Sequence, residues 1–367
     1  MGKKLIACVI LIAMMFSSSC SKNASSPQDE PEKTPAVNED EIFGLEESED
    51  DDLNKVISPL DGLKYYPEEL SRRPVAVSLD NHPAARWQSG LNSAEIIYEF
   101  EVEYPYTRYL AVYLAKEPEL VGPVRSARPY IIYYAMENDA IFVHVGGSED
   151  AFSEIKRLGA ADVDGLYSGA MWRYNDTGKL APHNMYTTLK SIRDEGKRLG
   201  FKDGDEVSFE KYNYNEIASW FFTEYFNEKS KKLSEKYNSS DAKKINITYN
   251  KENTTDYVYD EESGLYLRFK DKEKHLDELD KEQLKAKNII VLEAPKSVLD
   301  SAGRLYLKTV GSGNGIYFTE GQSCDIIWKK GSEKDRTEFY INGDDLYLNP
   351  GNTWIQIVDS ISAVTVE

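Results

Sequence analysis

The sequence predicts an α+β protein, in which an N-terminal mixed α/β domain with a central sheet precedes a strand-rich C-terminal domain of barrel- or sandwich-like packing. Two observations predict it. From about Ser58 to Phe226, short apolar runs rich in Val, Ile, Tyr and Phe alternate with stretches of helical periodicity. Beyond Lys244 nearly every apolar run is short and bounded by Gly, Asn or Asp, the texture of strands joined by turns. Ahead of both lies a leader of different character.

Residues 1–19 read as a lipoprotein signal peptide. Lys3 and Lys4 precede the apolar run Leu5 to Phe16, and Ser17, Ser18 and Ser19 lead directly to Cys20. The run is too short to serve comfortably as a permanent span. Small residues ending on a cysteine form the lipobox pattern, with Ser17 where Leu is usual. It predicts cleavage before Cys20 and a diacylglycerol with palmitate-type chains on its sulfur. An ordinary signal peptide or an uncleaved anchor is the alternative.

Residues 20–57 read as a disordered tether. From Ser21 to Ile57 twelve acidic residues face only Lys22, Lys33 and Lys55, and aromatic and branched side chains are scarce. Such a stretch cannot bury enough apolar surface to offset its ordering entropy. As a coil it spans roughly 30–35 Å, enough to lift the folded domains off a membrane. The chain as a whole carries a net charge of −19. That acidity excludes a non-specific nucleic-acid binder and excludes charge-driven membrane docking, so the lipid must provide attachment. Of the three cysteines, Cys8 leaves with the leader and Cys20 carries the lipid, so Cys324 has no partner for a bridge within the chain.

The N-terminal domain is expected over 58–230. Pro74 to Leu79 is a strand opening into the polar loop Asp80-Asn81-His82-Pro83, and Ala94 to Val102 and Arg108 to Ala115 are two more strands. Helices are expected over Ala127 to Asn138 with Pro129 in the first turn, over Glu149 to Leu158 behind the cap Ser148, and over Tyr186 to Leu199 before Gly200. Ala140 to Val145 is a buried-type strand. The charged stretch Asn227 to Lys244 is a helix or a junction. The C-terminal domain, 245–360, should hold eight strands and one short helix near Glu282 to Ala286, with Gly311 to Gly315 as a turn.

Ionisable residues gather at the ends of the first apolar strands. Asp80, His82 and Arg86 follow the first, and Glu99, Glu101 and Glu103 share one face of the second. Arg108 opens the third, while Arg125 and Arg128 bracket the start of a helix, where planar forks and free N–H groups suit an anion. His183 enters another helix. Asp80, His82 and Glu99 are therefore candidate catalytic bases, and Arg86, Arg108, Arg125, Arg128 and His183 candidate anion ligands. The competing reading is an ion-pair network that fixes strand ends. His82, His144 and His183 lack metal-ligand spacing, and neither metal nor cofactor is expected.

Several blocks resemble the YerB-type lipoproteins, a Gram-positive family classified as DUF3048. They include Asp80 to Arg86, Gln88 to Leu91, Gly122-Pro123-Val124-Arg125-Ser126-Ala127-Arg128-Pro129-Tyr130, His144 to Ser148, Asp335 to Thr337 and Leu348 to Gln356. Trp87 departs from the Pro common in that family. The resemblance implies a lipoprotein with two domains and brings no reaction. The residues themselves point first to a cell-envelope protein on the extracellular face of the membrane that holds an anionic wall ligand. An envelope hydrolase or transferase using Asp80, His82 or Glu99 as base is the second reading. A module that docks an envelope protein partner without any small ligand is the third.

Overall fold

The structure is a computed structural model that describes residues 54–202, 221–222, 232–235 and 237–367. The signal peptide, Cys20, most of the tether, and residues 227–231 and 236 of the charged stretch lie outside the described residues. At its end the tether region pairs sooner than expected: Val56–Ile57 forms a short antiparallel ladder with Lys64–Tyr65.

Three strands, β1 (Val75–Asp80), β2 (Ile96–Glu101) and β3 (Thr107–Tyr113), form the antiparallel centre, and every residue in them is buried. Burial on both faces explains their continuous apolar texture. After them, α1 (Pro129–Glu137) leads to β4 (Ile141–His144), and α2 (Glu149–Leu158) to β5 (Asp162–Asp164). These two strands add in parallel beyond β1. Ser148 caps α2 by accepting from the Ala151 N–H, and Gly159 closes it in the left-handed conformation.

The expected helix over Tyr186 to Leu199 begins late. Met185–Thr187 is a strand paired with Met171–Arg173, and α3 (Leu189–Arg198) starts only after Thr188 caps it. The residues of Met185–Thr187 are all buried, so a ladder satisfies their backbone better than a helix entry would.

The C-terminal half supplies β6 (Lys244–Asn250), β7 (Asn253–Asp260) and β8 (Leu265–Lys270), which form a separate antiparallel sheet. It then supplies β9 (Asn288–Glu293), β10 (Gly311–Thr319), β11 (Gln322–Lys330), β12 (Glu338–Ile341) and β13 (Thr353–Val358). These five extend the N-terminal sheet in the order β12-β11-β10-β9-β13-β2-β3-β1-β4-β5. The join is β13, parallel to β9 on one side and to β2 on the other, with Gln356 opposite Glu99. One sheet thus runs through both segments expected as separate domains.

Two local expectations are corrected. The helix expected near Glu282 to Ala286 is a strand, Lys285–Ala286, paired with β8. Leu284 and Ala286 are buried on one side of a period-two pattern that a single helical turn could not satisfy. The glycine run 311–315 is not a turn but the start of β10. Its glycines admit close neighbours, since a Cβ on Gly313 would sit 2.6 Å from the Trp328 indole nitrogen.

Apolar side chains cover both faces of the long sheet. Tyr98, Phe100, Tyr130, Tyr134 and Trp328 lie in the core on the side of α1 and α2. Tyr109, Ile245, Tyr257, Leu189 and Trp354 lie in the core shared with the second sheet and α3. The second sheet therefore covers the middle of the first, giving local sandwich packing.

Candidate functional site

Asp80 is the last residue of β1, opposite Arg108 on β3. The segment 122–127 lies across this strand end: Pro123 accepts from the Asp80 N–H, Arg125 donates its N–H to Ser78, and Val124 donates to Met185. On its other side Val145 donates to Arg125 and Ala127 donates to the carbonyl of Gly146. The loop segments around His82, Arg125 and His183 thus meet beyond the carboxyl ends of the parallel strands β1 and β4, where open α/β sheets bind ligands.

Three groups converge on the Asp80 carboxylate. The His82 backbone N–H donates to Oδ1 at 3.0 Å, the His183 Nδ1 lies 2.7 Å from Oδ2, and the Arg125 Nε lies 3.3 Å from Oδ2. Burial alone would raise this carboxyl, but Arg125, the two His82 and His183 hydrogen bonds and the charge of Arg108 outweigh it and hold it below the ordinary range. Asp80 is therefore ionised, and an ionised carboxylate only accepts.

The His82 ring stacks on His183 with centroids 4.3 Å apart and meets Tyr106 at 4.5 Å. Its Nδ1 accepts the N–H of Ala84 at 3.0 Å. Partial burial, then the neighbouring His183, lowers its pKa, with Arg125 and Arg86 adding to the effect against Asp80. The His183 and Arg125 side chains are 15% and 27% exposed. Among the described residues, the terminal nitrogens of Arg125 and the Nε2 atoms of both histidines have no hydrogen-bond partner, and none of them is sealed from solvent. An accessible guanidinium beside two accessible imidazoles can grip an anion.

Other candidates go elsewhere. Glu99 points between the two sheets and is fully buried, where it pairs with Arg268 and lies 3.6 Å from Lys270 on β8. Arg268 also lies 4.1 Å from the centroid of the Trp354 ring, and Thr107 donates to Glu99 at 2.7 Å. Sealed there, Glu99 cannot reach a solvent-borne ligand as a base. Arg86 is held by Asp271 and the Asn81 side chain. Arg128 is held by Glu103 at 2.6 Å and donates to the Ala127 carbonyl. Arg108 is buried and donates to the Ser126 carbonyl, while its Nε finds no partner among the described residues. Burial first, and then Arg128, pushes it down to about 10.

Sequence reasoning missed Tyr106 and the charged pair from β8. Arg268 and Lys270 alternate with Leu267 and Phe269 and share a face with Tyr266, which is buried. That alternation was legible, but it reads equally well as a solvated face until the facing sheet is known. His144 is a core histidine, with Nδ1 2.8 Å from the Gly146 carbonyl and Nε2 3.2 Å from Asp162. Among the described residues no group of three or more His, Cys, Asp or Glu side chains could hold a metal ion.

Two family models match the chain, the N-terminal domain of the proteins of unknown function DUF3048 over residues 60–202 and the C-terminal domain over residues 245–355. The chain belongs to the DUF3048 family. YerB of Bacillus subtilis (strain 168), provisionally named a lipoprotein, is 33% identical over 321 residues, covering 86% of this chain and 90% of that protein. A crystal structure of YerB protein from Bacillus subtilis superposes with a TM-score of 0.74 at 31% identity, covering 85% of this chain and all of that one.

The DUF3048 framework separates the two charge clusters. Asp80, His82, Tyr106, Arg125 and His183 all fall within the N-terminal family domain. The sealed cluster joins the two family domains, through Glu99 on one side and Arg268 and Lys270 on the other. Further ion pairs among the described residues cross the same boundary, among them Lys330 with Glu137, Lys179 with Glu278, Arg86 with Asp271 and Lys296 with Glu101. In this lipoprotein family member no described helix is long and apolar enough to cross a membrane.

Proposed function

We propose that the protein is secreted with residues 1–19 as signal peptide, is held to the extracellular face of the cell membrane by a lipid on Cys20, and binds an anionic envelope ligand at Arg125, His82 and His183. The observation that carries the ligand reading is the set of unpartnered, solvent-reachable nitrogens on these three side chains around an ionised Asp80. Charge favours an anion locally although the whole chain is acidic, because Asp80 already takes one contact from each of Arg125 and His183 and leaves their outer atoms free.

The test uses the full chain purified in detergent. Inorganic phosphate titrated by calorimetry should bind the native protein and bind the Arg125→Ala variant at least tenfold more weakly. Equal affinity in the two would refute the site. The anchor has its own readout: Cys20→Ala should release the protein into the medium or leave it uncleaved, and a processed protein retained on the membrane would refute the lipid.

A second reading, an envelope hydrolase or transferase, is favoured by the Asp80–His183 contact. A carboxylate on Nδ1 orients an imidazole as a base at Nε2. In that reading His183 takes the role of base and Asp80 positions it.

A further inference from the structure

We infer that the anion site is matched to a hydroxylated phosphate, a polyol or sugar phosphate, with His82 donating to a phosphate oxygen and His183 accepting from a neighbouring hydroxyl. The inference rests on the anion-binding reading and adds the class of ligand.

The two tautomers carry it. His82 accepts the Ala84 N–H at Nδ1, so a neutral His82 ring carries its hydrogen on Nε2. His183 faces the Asp80 carboxylate at Nδ1, and since that carboxylate only accepts, the hydrogen must sit on Nδ1. A neutral His183 ring therefore presents a lone pair at Nε2. The two stacked rings, 4.3 Å apart, offer opposite polarity to the same visitor, one a donor and the other an acceptor.

A bare phosphate dianion satisfies only half of this arrangement. Its oxygens suit the Arg125 terminal nitrogens and the His82 Nε2–H, but they repel the lone pair of His183. The acceptor is satisfied when the ligand carries an O–H close to the phosphoryl group, as on the carbon chain of a glycerol or sugar phosphate. A phosphate ester of a simple alkyl alcohol offers the charge without that hydroxyl. Tyr106 packs against the His82 ring, with centroids 4.5 Å apart, and helps to hold it in the stack.

The experiment compares three probes on the full chain in detergent by calorimetry: inorganic phosphate, propyl phosphate and glycerol 3-phosphate. Glycerol 3-phosphate should bind at least about tenfold tighter than propyl phosphate, the worth of one hydrogen bond made rather than left unmet. The His183→Phe variant keeps a ring in the stack and removes the acceptor, so the ratio of its affinities for the two esters should fall to about one, whatever its loss of affinity for phosphate. If propyl phosphate binds the native protein as tightly as glycerol 3-phosphate, the inference is wrong and the anion site stands. If none of the three binds, both readings fall. The comparison of esters on the native protein needs no variant to fold.

Discussion

Asp80 and His183, 103 residues apart in the chain, are joined by a 2.7 Å contact between carboxylate and imidazole at the end of β1. That contact fixes which nitrogen of His183 faces outward, and it brings a late loop onto the first strand of the sheet.

Asp80→Asn should cost about 1–3 kcal/mol, because the amide is uncharged and sets an NH2 group either against the His82 N–H, which Oδ1 now accepts, or against Arg125 and His183, which both meet Oδ2. The pH dependence has a definite sign. The Asp80 pKa is lower in the folded protein than its ordinary value of 3.8, so its contribution is fully present above that value. It is lost as the pH falls through the lower, folded value. Urea denaturation of native protein and variant across pH 2.5 to 6 should show their stabilities converging at the acid end.

Glu99→Ala should destabilise by about 3–5 kcal/mol, since it strands Arg268 and Lys270 as buried, unbalanced cations. The double change Glu99→Leu with Arg268→Met should recover part of that loss, because it removes one of the two stranded cations, while Lys270 keeps the Asp271 carboxylate 3.5 Å away. Urea midpoints for the single and double variants, taken at equal m-values, decide it. A double variant no better than Glu99→Ala would mean that the cluster is more than a compensated charge set.

Glu95 offers a second titration of opposite sign. Complete burial, reinforced by Asp61, raises its carboxyl to about 7, against Lys116 and the backbone N–H groups of Leu114 and Lys116. A raised folded value means that its stabilisation is present below its ordinary value of 4.5 and is lost as the pH rises through about 7. The full swing is about 3 kcal/mol. Calorimetric Tm should therefore fall between pH 5 and 8 in the native protein, and Glu95→Gln should flatten that slope.

The strands β1 to β4 and the helices α1 and α2 were legible because each has a single-element signal, an apolar run or a capped periodic stretch. The join of the two halves was not. β13 reads as any buried strand, and nothing in Thr353–Val358 says that it inserts parallel to β2. The glycines at 313 and 315 read as a turn because their use, room for Trp328 and Ile326, is visible only across the sheet. At the site, Asp80, His82, Arg125 and His183 were all named from the sequence. Glu99 was grouped with them because it follows the same pattern of charge on an apolar strand. Its face of β2 turns it instead toward Arg268 on a strand 169 residues away, a distance in sequence that no local pattern spans.

The central claim, that Arg125, His82 and His183 hold an anion, is tested most directly by imidazole nitrogen NMR of the full chain in detergent during a phosphate titration. The protein has four histidines, and His144 and His275 are fully buried controls. Phosphate should move the His82 and His183 resonances saturably, leave the His144 and His275 resonances in place, and lose its effect in Arg125→Ala. Resonances of His82 and His183 that stay fixed, or that move identically in Arg125→Ala, would contradict the account.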